Sequence, residues 1–133
     1  MTTSRVTPFL RWALLGDALA SSGTGLLMVL LAAELQGLLQ VPAALLFNAG
    51  LVLIPYAAIV AFLGARESLP NWAVWSVIAV NLLWAVDSIV LLGGDRVSPN
   101  ALGYTFIIGQ ALVVAGFAEL QMLALRRSRA VAA

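Results

Sequence analysis

Residues 42–63 read PAALLFNAGLVLIPYAAIVAFL, a stretch with no charged side chain anywhere in it. About 20 apolar residues wound as a helix, at about 1.5 Å each, match the roughly 30 Å hydrocarbon core of a bilayer. Three further runs of similar length flank it, Trp12–Ala33, Trp72–Leu92 and Leu102–Leu125. The breaks, Glu34–Val41, Gly64–Asn71 and Gly93–Ala101, are short and carry turn-formers and charges, so each predicts an antiparallel hairpin. Composition points the same way. The chain is 62% hydrophobic and 10% charged, against about half and about a quarter in soluble domains. The expected fold class is all-α: one polytopic membrane domain over residues 1–133, four transmembrane helices in an antiparallel bundle.

Proline usage fits these bounds. Pro8, Pro42, Pro70 and Pro99 sit at or shortly before a proposed helix, where the missing N–H has no partner to lose. Pro55 falls inside the second span, where it removes a backbone hydrogen bond and is expected to kink the helix as a packing feature. Orientation follows from the basic residues, which collect on the cytoplasmic side of short loops. All seven are Arg: Arg5, Arg11, Arg66, Arg126, Arg127 and Arg129 share one side, and Arg96 falls on the other. Both termini are therefore expected in the cytoplasm, with Trp12, Trp72 and Trp75 at the inner interface and Tyr104 near the outer one. Ala18-Leu19-Ala20 has the form of a signal-peptide cleavage site. Asp17 interrupts the would-be apolar core, however, and hydrophobicity runs on to Ala33, so the segment reads as an uncleaved first span.

The chain has no His, Cys or Lys. That removes the commonest haem ligand and the nitrogen and sulfur ligands of zinc and copper, Schiff-base chemistry and any His- or Lys-assisted nucleophile. With no phosphate-binding fingerprint either, no catalytic residue, metal site or cofactor is expected, and a non-enzymatic role is favoured.

Function is then sought among polar residues inside the spans, which usually face a protein interior or a watery cavity. A carboxylate at mid-bilayer costs about 3 kcal/mol, and Asp17, Asp87 and Glu119 each fall within a proposed span. By depth, Asp17 and Glu119 both lie roughly 8 to 9 Å from the inner end and are a candidate acid pair, the alternative being that Arg11 and Arg126 reach back to neutralise them. On the third span Asn81, Trp84, Asp87 and Ser88 share one arc. Asn48 and Gln110 come to a similar depth as Asp87, so Asn48, Trp84, Asp87 and Gln110 form a candidate ligand-binding cluster, with an interhelical hydrogen-bond clamp as the alternative. A stripe of Ala13, Asp17, Ala20, Ser21, Thr24 and Met28 beside Gly16 and Gly23, and a groove at Gly109 and Gly116 on the side of Glu119, are expected to be packing faces. Gln110 and Gln121 lie on nearly the opposite side of the fourth span, and polarity on two sides of one helix predicts a second protein neighbour.

The segments Leu15-Gly16-Asp17-Ala18, Asn81-Leu82-Leu83-Trp84 and Ala118-Glu119-Leu120-Gln121 ahead of Arg126-Arg127 give the chain a look similar to small four-span bacterial membrane proteins without an assigned function. The resemblance covers nearly the whole chain and implies a bacterial inner-membrane location. The expected function is that of a binding or accessory subunit with an intramembrane polar network. The alternative is a small proton- or cation-coupled transporter or channel working as an oligomer. Expected partners are the lipid bilayer and a homo-oligomer or larger membrane complex, with no nucleic acid.

Overall fold

A computed structural model describes residues 2–132, with side chains over residues 2–127. Its elements run β1 (Thr3–Arg5), α1 (Pro8–Leu30), α2 (Ala32–Leu39), α3 (Ala43–Gly64), β2 (Ser68–Pro70), α4 (Asn71–Gly93) and α5 (Ala101–Ala132). Four helices, Pro8–Leu30, Ala43–Gly64, Asn71–Gly93 and the Ala101–Arg127 part of α5, are long and apolar enough to cross a membrane. The protein is an all-α, multi-pass membrane protein.

Three details differ from the sequence reading. The first span starts four residues earlier, because Pro8 occupies the first turn and the Thr7 hydroxyl accepts from the Leu10 N–H at 3.2 Å. It also stops at Leu30, since Leu31 leaves the helical region (φ −117°, ψ 27°). The stretch expected as a loop instead forms the short helix α2, which ends at Gln40 in a left-handed conformation, φ 59°. Finally, β1 pairs antiparallel with β2, Ser4 opposite Leu69.

These features define the two ends of the bundle. The β1–β2 ribbon ties the N-terminus to the α3–α4 connection, and the Arg127 guanidinium lies over the Phe9 ring, 5.1 Å from its centroid. Arg5, Arg11, Arg66, Arg126 and Arg127 therefore gather at one end, called here the arginine-rich end. Arg129 lies beyond the described side chains. At the far end the Asn100 side chain donates to Leu38 O at 2.8 Å and accepts from the Gly103 N–H at 2.9 Å, stapling α2 to the start of α5. A Cβ on Gly103 would run into the Leu39 carbonyl, so that position must be glycine for the loops to meet. Gln36 Oε1 accepts from Ala43 N–H at 2.6 Å and caps α3 from α2.

Around the bundle the order is α3, α1, α5, α4: α3 packs along α1, α1 against α5, and α5 along α4, while α3 and α4 share no comparable seam. The α1–α3 crossing is made by Gly25 and Gly50. A Cβ on Gly50 would lie 2.7 Å from the Gly25 carbonyl oxygen and 2.8 Å from Val29 Cγ2. Gly16 meets the Phe117 ring, but Gly23, Gly109 and Gly116 have open space where a side chain would be. The expected Gly109/Gly116 groove is thus not a packing face within one chain. α5 turns Ile107, Ala111, Ala118, Gln121, Ala124 and Leu125 inward instead.

Candidate functional site: a closed polar network and an open cavity

The intramembrane polar residues separate into two groups along the bundle. Nearer the arginine-rich end, Asp17 is 1% exposed. Its Oδ1 accepts from the Ser21 hydroxyl, one helical turn on, at 3.1 Å. Its Oδ2 is met by the Tyr56 hydroxyl of α3 at 2.7 Å, the Asn81 amide of α4 at 2.9 Å and the Gln121 amide of α5 at 2.9 Å. Asn81 also donates to Gln121 Oε1 at 3.1 Å, and Gln121 to the Ala13 carbonyl at 3.2 Å. All four long helices thus meet at one carboxyl group. Among the described residues no buried side-chain polar atom lacks a partner, which a low-dielectric interior demands.

This network corrects the acid-pair expectation. Glu119 is exposed on the outside of α5, while Gln121, two positions and about 200° further round the helix, takes the inward place beside Asp17. Nor does either Arg neutralise the acids. Arg11 donates to the Gly64 carbonyl at 2.7 Å and the Arg66 carbonyl at 3.4 Å, closing the C-terminal end of α3, and Arg126 lies 3.7 Å from Met122 Sδ. Among the described residues the side chains around Asp17 are all neutral.

Toward the far end α3 and α4 part, and a cavity of about 750 Å³ opens between them. Asn48 and Val52 of α3 and Trp84, Asp87 and Ser88 of α4 line its sides, with Gln110 of α5 behind. All four residues of the candidate binding cluster, Asn48, Trp84, Asp87 and Gln110, border this one space. Asn81 of the same α4 arc does not, because it faces the Asp17 network. The back wall is fixed. Trp84 Nε1 donates to Gln110 Oε1 at 2.8 Å, and the Gln110 amide donates to the Ser88 hydroxyl at 2.9 Å. Asn48 and Asp87 are exposed, and Asp87 makes no hydrogen bond among the described residues. Asp95 and Arg96 border the mouth at the far end.

The volume lies in the range of sites that enclose a drug-sized ligand, about 300–1,000 Å³. The wall is largely apolar, with Met28, Leu45, Leu46 and Phe106 among its members, and carries the Asp87 carboxyl one helical turn from the Trp84 indole, with Asp95 and Arg96 as an acid and a base at the mouth. Such a wall suits an amphipathic molecule with a positive head, attracted by the carboxylate and by the ring face. Among the described residues no three or more His, Cys, Asp or Glu side chains cluster as metal ligands.

Of the network members around Asp17, Tyr56 is the one the sequence reading misses; Ser21, Asn81 and Gln121 stand out there as polar residues but not as partners of Asp17. Asp17 and Ser21 at i, i+4 was the visible signal. No protein-family model, curated protein or solved structure matches the chain.

Proposed function

We propose that the chain is a non-enzymatic binding protein of the bacterial inner membrane, both termini cytoplasmic, whose cavity takes up amphipathic cations sideways from the outer half of the bilayer. The observation that carries this reading is the unpartnered Asp87 carboxyl on the wall of an apolar cavity that reaches the surface between α3 and α4. The placement of the termini rests on the basic residues gathered at one end of the bundle.

Tetraphenylphosphonium and tetraphenylborate make the test sharp, because they share shape and apolar surface and differ in the sign of charge. Equilibrium dialysis with the protein in nanodiscs should show saturable binding of the phosphonium, lost in Asp87→Asn, and none of the borate. Equal uptake of both ions, or phosphonium binding indifferent to Asp87→Asn, would overturn the proposal.

A protein neighbour is the second reading, favoured by Glu119, an exposed acid within an apolar helix, beside the open positions Gly109 and Gly116. Ionisable groups at membrane depth normally face protein or water. In this reading the chain is a subunit of a homo-oligomer or larger complex. Native mass spectrometry of protein released from its own membranes should then show a defined assembly that Glu119→Gln weakens; a monomer in both cases rejects it.

A further inference from the structure

The donors and acceptors around Asp17 can be assigned outward from a group with no choice. The Ala13 carbonyl oxygen only accepts, so the Gln121 group 3.2 Å from it is the NH₂, whose second proton goes to Asp17 Oδ2 at 2.9 Å. Gln121 Oε1 then faces Asn81, which must present its own NH₂ there at 3.1 Å and gives its other proton to Asp17 Oδ2 at 2.9 Å. That leaves Asn81 Oδ1 facing the Tyr56 hydroxyl at 2.8 Å, and the same hydroxyl lies 2.7 Å from Asp17 Oδ2. Three oxygens in a row, Asp17 Oδ2, Tyr56 O and Asn81 Oδ1, are joined by two short links. The phenol supplies a proton for only one of them.

We infer that the missing proton is carried by Asp17, making this carboxyl a built-in proton-binding site that controls the contact between α3 and α4. Protonated Asp17 donates to Tyr56, and Tyr56 donates to Asn81, the hydrogen bond that joins α3 to α4 among the described residues. When the proton leaves, the phenolic hydrogen turns to the carboxylate, and two oxygens with no hydrogen between them face each other across the α3–α4 junction. That junction lies on the arginine-rich side of the cavity, so its loosening widens the gap between the two helices. The groups in contact with Asp17 are Ser21 on its own helix, Tyr56 on α3, Asn81 on α4 and Gln121 on α5; Tyr56 is the one titratable group among them, and none is charged. The inference stands independently of whether the cavity binds a cation.

Infrared spectroscopy reads the proton directly. The chain has three aspartates, Asp17, Asp87 and Asp95, so Asp87→Asn/Asp95→Asn protein labelled with ¹³C in the aspartate side-chain carboxyl reports on Asp17 alone. In lipid at neutral pH it should show an isotope-shifted carbonyl stretch of a protonated carboxyl, absent from Asp17→Asn. Isotope-shifted bands of a carboxylate only would overturn the assignment, and the labelled protein decides this even should Asp17→Asn fail to fold. For the α3–α4 contact, spin labels at the exposed positions Phe47 and Ile89 should lie further apart in Tyr56→Phe than with Tyr56 present. An unchanged distance rejects control of the helix contact by this hydroxyl.

Discussion

The two halves of this bundle are made from the same four helices and differ in what happens between α3 and α4. Toward the arginine-rich end the gap is filled: Asp17, Tyr56, Asn81 and Gln121 satisfy one another, and Val60, Val74, Val77 and Ile78 pack around them in one apolar core. Toward the far end the helices separate around a cavity on whose wall the Asp87 carboxyl has no hydrogen-bond partner among the described residues. Polar residues at membrane depth are costly in both places. Where every group is paired, the cost is offset and the result is structural specificity; where one is left free beside open space, it is available to something outside the chain.

The largest expected effect sharpens that contrast. Asp17→Ala strips the shared partner from Tyr56, Asn81 and Gln121, and orphaned buried groups are each worth about 1–3 kcal/mol. A loss of about 3 kcal/mol is therefore expected in denaturant titration of the protein in micelles, against less than about 0.5 kcal/mol for Asp87→Ala, the ordinary range for an exposed site. Equal losses would erase the distinction between the halves. Next comes Gly50→Ala, which drives a methyl into the Gly25 carbonyl and Val29 and should cost about 2 kcal/mol by overpacking the α1–α3 crossing. Tyr56→Phe removes hydrogen bonding while keeping the ring, and about 1 kcal/mol is expected in the same titration. Smallest is Gly116→Ala, where open space awaits the methyl. It should be neutral or stabilising by up to about 0.5–1 kcal/mol, as expected when alanine replaces glycine within a helix, and a clear loss there would reveal a neighbour against that face.

How much of this was legible in the sequence differs between the halves too. The four spans could be read from the length of the apolar runs and from proline placement, because the bilayer imposes both. The α2 helix could not: its eight residues, AAELQGLL, are too few to announce themselves by periodicity, and they are held by Asn100 and Gln36 contacts across the fold. The far-end cluster was accessible because depth and helical face together bring Asn48, Trp84, Asp87 and Gln110 to one place. Pairing Asp17 with Glu119 used depth without rotation, and α5 is rotated to present Gln121 inward. That rotation is set by which small residues contact α1 and α4, with Ala111, Ala118 and Ala124 buried and Gly109 and Gly116 left open. Composition rates these alanines and glycines as equivalent; only the packed bundle distinguishes them. Tyr56 followed the kink-prone Pro55 and read as part of an apolar run, although its depth, eight residues from the end of α3, is about 12 Å and close to that of Asp17.

Two serines allow the most direct test of a closed half and an open one, since the chain has no cysteine of its own and Ser→Cys is nearly isosteric. Ser88 borders the cavity, and Ser21 is buried against Asp17. In reconstituted protein, a water-soluble cationic thiosulfonate should modify Ser88→Cys readily and leave Ser21→Cys intact. Modification of both at similar rates would contradict the division of the bundle into a sealed network and an accessible cavity.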